Sequence, residues 1–555
     1  MSILLFCSSV TLLSSTFIGY IITSTLFKKE RQIDFFIVFL ISFIFLNTYY
    51  SLISLFYKLN CLPSVIIYAF GIFYSLRNKK FIYSNLKNCT TDYKNIFLSL
   101  TIILFFCICS TIPPRIYDSG LYHIQSIKWI EEYGIVKGLG NLHGRLAFNS
   151  NIFTLFAGTS MKSFFGQSIY CINLLLLSAF IFWQIHCIKK FNKENKSNFV
   201  LIHLLILIIS FWGKIADLSS PSPDLYTTII PIYIFLYYIE SKEKSTQQIF
   251  YEYCFLIVLI VYSITVKLAS LPLVLFFPFM IYRIRKYISF KLIVITTFCC
   301  LCIVIPWLIR NYYLSGYLIY PFPSVDIFNP IWKIPIKDVI TEKQLVSSYA
   351  WIQKYDINFD KLQFITKLKI WWGLLSLFRK IILIIVFITT IIIIATYKRH
   401  KQVYLKYMDV YLISWGCFIF WFMLAPDFRF GNAYIIFCSV FLLLIFDISF
   451  ITKSIFQIIE NYSRLIRISF ISILLIVSVL ILFIYNTLIY PAKIQRTNFK
   501  GKVEMDYYLV KGIKIYYPIN DDRCFDEELP CTNFKNENLR MLGSQIKDGF
   551  KVVEK

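Results

Sequence analysis

The chain has 555 residues, of which 58% are hydrophobic and 19% aromatic but only 16% charged, and its mean hydropathy is +0.66. Soluble globular proteins hold about 45–50% apolar and about 25% charged residues, so this composition excludes a water-facing fold. The apolar residues fall in many runs of about 16 to 25, each able to cross a hydrocarbon core of about 30 Å as a helix, which also excludes a single anchor and a β-barrel of about ten-residue strands.

In chain order the apolar runs predict spans near 2–26, 34–57, 62–76, 95–113, 168–188, 199–215, 225–240, 249–266, 269–283, 292–309, 380–397, 409–425, 432–452 and 467–490. These are about fourteen helices of an all-α polytopic membrane protein. The net charge of +25 is read by location. Alternate short connections carry Lys28, Lys29 and Arg31; Arg77, Lys79, Lys80 and Lys87; Lys189, Lys190, Lys193 and Lys196; Arg283, Arg285 and Lys286; and Lys398, Arg399 and Lys401. The positive-inside bias puts this set in the cytoplasm and both termini outside. Most of the excess charge is thus an orientation signal beside anionic lipid, and nucleic acid is dropped as a partner. The first run lacks a basic start and a small-residue cleavage site, so it is expected to remain as a span.

Between the spans lie four outside segments. The first, 114–166, sets Leu121, Ile124, Ile127 and Ile130 at helical spacing after Asp118 and Ser119, and predicts an amphipathic helix on the membrane surface. A turn with Gly138, Gly140 and Gly144 follows, then a short apolar helix near 149–165. The second segment, 213–224, carries Asp217, Ser219, Ser220 and Asp224 among prolines; the third, 310–379, opens with Arg310; the fourth, 426–431, supplies Asp427 and Arg429. A structureless loop as long as the third is usually functional.

N-capping or turn formation accounts for any one of Asp118, Asp217 and Asp224. Several polar segments converging on one face make a cleft the better reading. Lys58 and Lys214 are read as helix-end lysines that snorkel to water. Lys267 is assigned function, because it stands between two apolar runs with almost no polar linker and a mid-membrane lysine costs about 2.5–3.5 kcal/mol. Tyr117, Tyr122 and Trp129 are suited to line a sugar site, against a background of aromatic belting. Of five histidines, His123 and His143 both fall in the first outside segment, with catalysis and ordinary interfacial hydrogen bonding as the two readings.

Most of the 15 cysteines lie in apolar runs as small hydrophobes. Cys524 and Cys531 are set apart in the polar tail, where a disulfide is expected, since a metal site would need two more ligands and the tail has no histidine. The tail pairs a strand-like stretch, YYLVKGIKIYYPIN, with the turn-rich RCFDEELPCTNF, and predicts a small α/β appendage packed over the 310–379 loop.

Carboxylates and cations sharing an outward cavity suit group transfer from a lipid phosphate. A carboxylate takes the proton of an acceptor hydroxyl, and Lys267, Arg310 and Arg429 neutralise the departing phosphate.

The stretch YDSGLYHIQSIKWIEEYGIVKGLGNLHGRLAFNS, with SSPSPD, TVKLASLP, IRNYYLSGYLIYPFP and APDFRFG, resembles a family of uncharacterised bacterial polytopic membrane proteins of surface-polysaccharide settings over most of residues 95–435. More distantly it is similar to the integral-membrane GT-C glycosyltransferases that use polyprenyl-phosphate sugars. The resemblance implies an extracytoplasmic site in the bacterial inner membrane, a polyprenyl-phosphate sugar donor, a glycan or lipid acceptor, Asp118 as general base, and Asp217 or Asp224 as the acidic second loop. It divides the chain into three extra N-terminal helices (1–94), a GT-C-like module (95–490) and an outside tail (491–555). Two features depart from GT-C enzymes. Three spans precede the first acidic loop, and no DD or DE pair stands at the key position, so a bound divalent cation is left open. An O-antigen-type polymerase or ligase and a precursor transporter or flippase are the alternatives. The first would depend on arginines, and the second predicts charged or polar groups buried mid-membrane and repeat-like halves with broken helices.

Overall fold

The computed structural model describes residues 1–26, 34–77, 93–356, 358–446, 449–450, 454, 463–494, 496–498 and 501–553. Of the basic connections, Lys28, Lys29, Arg31, Lys79, Lys80 and Lys87 lie outside the described residues. The chain is mostly helical and membrane-embedded: among the described residues seven helices are long and apolar enough to cross a bilayer, and shorter apolar helices of 10–17 residues stand beside them.

The helices are α1 (Ser2–Leu26), α2 (Phe35–Ile53), α3 (Cys61–Arg77), α4 (Tyr93–Cys109), α5 (Ile124–Tyr133), α6 (Ile152–Thr159), α7 (Ile172–Lys193), α8 (Ser197–Lys214) and α9 (Asp224–Ser241). They continue as α10 (Thr246–Val266), α11 (Phe276–Ile284), α12 (Phe290–Ser315), α13 (Ile336–Ile352), α14 (Phe364–Leu374), α15 (Leu377–Thr396), α16 (Lys401–Leu424), α17 (Phe428–Val440) and α18 (Ser463–Tyr485). Helix α9 is the central post and is buried along its whole length. It packs on α7, α10, α16 and α17. Helices α12 and α15 instead show apolar side chains such as Phe298, Ile305, Ile384 and Ile391 on the outside, the surface that lipid covers in a bilayer. Ser2 N donates to Leu488 O at 3.1 Å, which sets the start of the chain beside the segment leading into the tail.

Three predicted elements differ in form. The expected span at 269–283 is a 3-10 stretch, Leu268–Leu275, followed by the nine-residue α11, because Lys267 is extended and Pro272 interrupts the ladder. The run at 149–165 is two pieces, α6 and a single turn Lys162–Phe165, and α6 is fully buried. The helix of the first outside segment begins as a π-helical turn, Ser119–His123, and continues as α5.

Helix α5 is covered on both sides. Ile127 and Ile130 pack on the bundle, and its polar side is covered by the C-terminal tail, where Gln125 Nε2 donates to Phe525 O at 3.2 Å and Glu527 O at 2.9 Å. Lys128 Nζ donates to Asp526 O and Glu527 O at 3.2 and 3.1 Å. Helical periodicity identified a polar face, but that face is satisfied by main-chain carbonyls of the tail.

The appendage is β rather than α/β. Its strands β1 (Thr497–Asn498), β2 (Gly501–Lys502), β3 (Met505–Val510), β4 (Ile513–Pro518), β5 (Leu539–Met541) and β6 (Phe550–Val552) pair as three two-stranded antiparallel sheets, with one 3-10 turn at Ile546–Asp548. Cys524 and Cys531 are joined as a disulfide with Cα atoms 6.1 Å apart. The appendage seats on the first outside segment more than on the third, through an apolar core that joins Trp129, Val136, Leu139 and Leu142 to Ile515, Leu539, Met541 and Phe550. At its edge it meets the third segment, where Asn141 Nδ2 donates to both Trp332 O and Phe550 O. Gly138 makes this seating possible: it adopts φ 60°, and a Cβ there would lie 2.1 Å from Phe550 O.

Candidate functional site

Asp118 immediately precedes the π-helical turn, and its side chain makes no capping hydrogen bond. It accepts instead from Arg429 Nη1 at 3.2 Å. π-Helical turns are rare and recur at functional sites.

The second outside segment is held by a residue that sequence reasoning missed. Asn173, in the first turn of α7, donates through Nδ2 to Ser220 O at 2.8 Å and Ser222 O at 3.2 Å, and so shapes the proline-broken SSPSPD loop. That loop delivers Asp224 to the first turn of α9, where the helix dipole favours an acid. Asp217 stands one step away and pairs with Lys214 at 3.2 Å.

Helix α10 ends at Val266 because its last carbonyls are taken by the first segment: Asn151 N donates to Thr265 O at 3.0 Å and Ser150 Oγ to Val266 O at 2.7 Å. The chain then turns to extended backbone at Lys267, whose ammonium pairs with Asp224 Oδ1 and lies 4.0 Å from the centre of the Phe430 ring. This cation–π contact is a further determinant that the sequence reading did not name.

Arg429 opens α17. Asp427 caps this helix, accepting from Arg429 N at 2.9 Å through Oδ1, while its Oδ2 accepts from Arg429 Nε at 2.9 Å. The cap is fixed by two indoles, with Trp371 Nε1 donating to Pro426 O at 2.9 Å and Trp421 Nε1 to Asp427 O at 2.7 Å. Gly431 lets α17 approach, since a Cβ there would lie 2.5 Å from the Trp421 ring. Arg429 Nη1 is left facing Asp118 at 3.2 Å and Asp224 Oδ2 at 3.9 Å.

Three of the polar segments, 114–166, 213–224 and 426–431, therefore meet at the short break after α10: Asp118, Asp224, Asp427, Lys267 and Arg429 form one network, with three carboxylates sharing two cations and one negative charge in excess. Burial pushes the Asp224 carboxyl up, but Lys267 and Arg429 outweigh it and hold the group well below the ordinary carboxylate range. The side chain of Asp224 is 5% exposed, whereas those of Asp118 and Arg429 are 24% and 37% exposed and form the accessible edge.

His123 does not reach that edge. It is 1% exposed, its Nδ1 faces Ser119 Oγ at 3.3 Å, and its ring packs on Tyr122 and Phe153. Burial lowers its pKa to about 4 despite the nearby Asp118 and Asp224, so it is neutral at pH 7. Tyr122 packs beside it against Phe148 and Phe153.

Two more predicted residues lie elsewhere. Arg310 is buried on α12, donating to Ser54 Oγ at 2.8 Å and Asn149 Oδ1 at 3.3 Å, and no ion pair joins it to the carboxylates among the described residues. Its turn of α12 faces the protein instead of the cleft. His143 accepts from Arg145 N through Nδ1 at 3.0 Å, and burial lowers its pKa to about 3. The neighbouring Arg145, not anticipated from sequence, pairs with Glu342 of α13 at 2.7 Å and ties the first outside segment to the third. A cavity of about 650 Å³ lies apart from the network, lined by Lys58, Glu131, Glu132, Ser160 and Lys162. Among the described residues, the group placed to hold a metal ion is Cys187, His203 and Glu240, on α7, α8 and α9 and also apart.

A family model described as a domain of unknown function (DUF8201) matches residues 1–436, and the chain belongs to that family. All five residues of the network fall inside the matched span, and the appendage falls outside it. No curated protein and no solved structure matches the chain.

Proposed function

We propose that this member of the DUF8201 family is a GT-C-like glycosyltransferase of the bacterial inner membrane, with about fourteen crossings and its site on the extracytoplasmic face. It moves a sugar from a polyprenyl-phosphate donor to a glycan or lipid acceptor. The observation that carries this reading is the convergence of Asp118, Asp224 and Arg429 from three separate polar segments on Lys267 at the break after α10.

In the reaction, the acceptor hydroxyl oxygen attacks the anomeric carbon and its proton passes to the Asp118 carboxylate. The bond from that carbon to the phosphate oxygen breaks, and the lipid phosphate leaves with the electron pair. Lys267 and Arg429 neutralise it, as preorganised cations do for a departing phosphate. Asp118 is the carboxylate for the base role because it is the more exposed of the two that face Arg429 Nη1. Asp224, buried and ion-paired, orients the cations. Binding of the phosphate displaces Asp118 from Arg429 and frees it to accept the proton.

The reading is tested by the lipid-linked sugars of a deletion strain. A polyprenyl-phosphate monosaccharide should accumulate and be consumed again when the wild-type gene is restored, but not with Arg429→Ala. Accumulation of a polyprenyl-diphosphate oligosaccharide instead would favour the polymerase or ligase alternative.

A further inference from the structure

A group transfer brings two substrates to Asp118, and the structure lines two different approaches to it. One is cationic, formed by Lys267 and Arg429. The other is aromatic and carries one unbalanced acid. Tyr117, 44% exposed, donates its hydroxyl to Asp522 of the appendage, and its ring lies 4.8 Å from the Arg523 guanidinium. Tyr355, 42% exposed, stacks on Tyr349 at 5.1 Å, and its ring centre lies 5.9 Å from the guanidinium of Arg145, the residue that also faces the Phe148 ring of the first segment. The cations of this approach are spoken for: Arg145 pairs with Glu342 at 2.7 Å and Arg523 with Asp521 at 2.7 Å. A neutral polyol suits this approach, because tyrosine rings offer an apolar face to the C–H side of a pyranose and the left-over carboxylate accepts from its hydroxyls.

We infer that Tyr117, Tyr355 and the appendage residue Asp522 form the acceptor subsite, which takes pyranose units of a glycan. The inference rests on the transferase reading and adds to it the class of acceptor and the part of the chain that selects it. The tail is then a component of the site. It is fixed there by Phe525 N donating to Gly120 O at 2.8 Å, two residues from Asp118.

The test uses the full-length protein in detergent on an array of bacterial surface oligosaccharides, together with transfer from a polyprenyl-phosphate sugar in the same preparation. Wild type should bind a glycan class. Asp522→Asn and Tyr355→Ala should weaken binding about tenfold or more, as loss of a hydrogen bond to a charged group or of a ring platform does, while Tyr355→Phe keeps it. Binding that depends on Asp522 and Tyr355 with no transfer would sink the transferase reading and leave the subsite. Transfer with an unchanged acceptor KM in Asp522→Asn and Tyr355→Ala would overturn the subsite and leave the transferase. A wild-type protein that binds no glycan also overturns the subsite.

Discussion

Arg429 and Asp118 are 311 positions apart in sequence, yet Nη1 of one lies 3.2 Å from Oδ2 of the other. The contact is made by the free corner of a guanidinium whose Nε and Nη2 are already committed to Asp427 at 2.9 Å. Asp427 thus acts as a hinge pin. It caps α17 and at the same time aims the remaining corner of Arg429 at the two carboxylates opposite.

That aim needs the planar fork. Lysine at 429 keeps the charge but cannot hold Asp427 and face Asp118 at once. Arg429→Lys is expected to lower transfer by about 100-fold, the usual scale for losing a preorganised cation or donor at a departing anion. Steady-state kinetics with a polyprenyl-phosphate sugar checks it, and a rate within a few-fold of wild type would contradict the aiming role.

Lys267 and Asp224 form the least exposed ion pair of the network. Lys267→Met removes the nearer of the two cations that face the buried Asp224 carboxylate, leaving Arg429 at 3.9 Å, and should destabilise the protein by about 2–4 kcal/mol. Adding Asp224→Asn removes the stranded charge and should restore much of that loss. Thermal unfolding in detergent of the two single variants and the double variant measures the coupling; additive effects would show the pair to be energetically idle.

His123 and His143 bear on acid stability in the same direction. Both have folded pKa values depressed by burial, to about 4 and about 3, below the ordinary value of 6.5. The unfolded chain therefore takes up protons first as pH falls. Their contribution is complete above pH 6.5 and is lost on acidification, through pH 4 for His123 and pH 3 for His143, at up to about 1.4 kcal/mol per pH unit for each. The unfolding midpoint should drop between pH 7 and pH 5, and His123→Gln should flatten that drop.

The disulfide closes a short ring at a sequence separation of 7, and the ring carries the carbonyls that grip Gln125 and Lys128. Replacing Cys524 and Cys531 by serine should cost the appendage about 2–3 kcal/mol of loop-closure stabilisation. Limited proteolysis should then cut within 501–553 while the membrane helices stay intact. Equal resistance of both forms would show that packing on α5 alone holds the tail.

The parts of this site that were legible in the sequence are those with a local signature. Lys267 stood out because it interrupts apolar sequence without a polar linker, and Asp118, Asp224 and Arg429 because each sits in a polar segment between apolar runs. Arg310 carried the same signature but points the other way, since charge at a helix end does not reveal which turn faces the cleft. Asn173 and Arg145 were invisible for the converse reason: an asparagine in an apolar helix and an arginine in a loop acquire their roles only when the SSPSPD loop and α13 fold against them. The polar face of α5 is legible as a face, but its cover by the tail is not, because periodicity is silent on what packs against it. The strand-like tail was also visible, but its seat depends on Gly138 and on main-chain carbonyls.

The central claim is that Asp118 takes the acceptor's proton while Lys267 and Arg429 hold the lipid phosphate. The most direct measurement is single-turnover transfer from a polyprenyl-phosphate sugar by Asp118→Asn protein at wild-type abundance in the membrane. Loss of transfer by about 1,000-fold or more with donor binding retained is the predicted result, at the scale of a positioned general base. An Asn variant that transfers at a rate near wild type would contradict it.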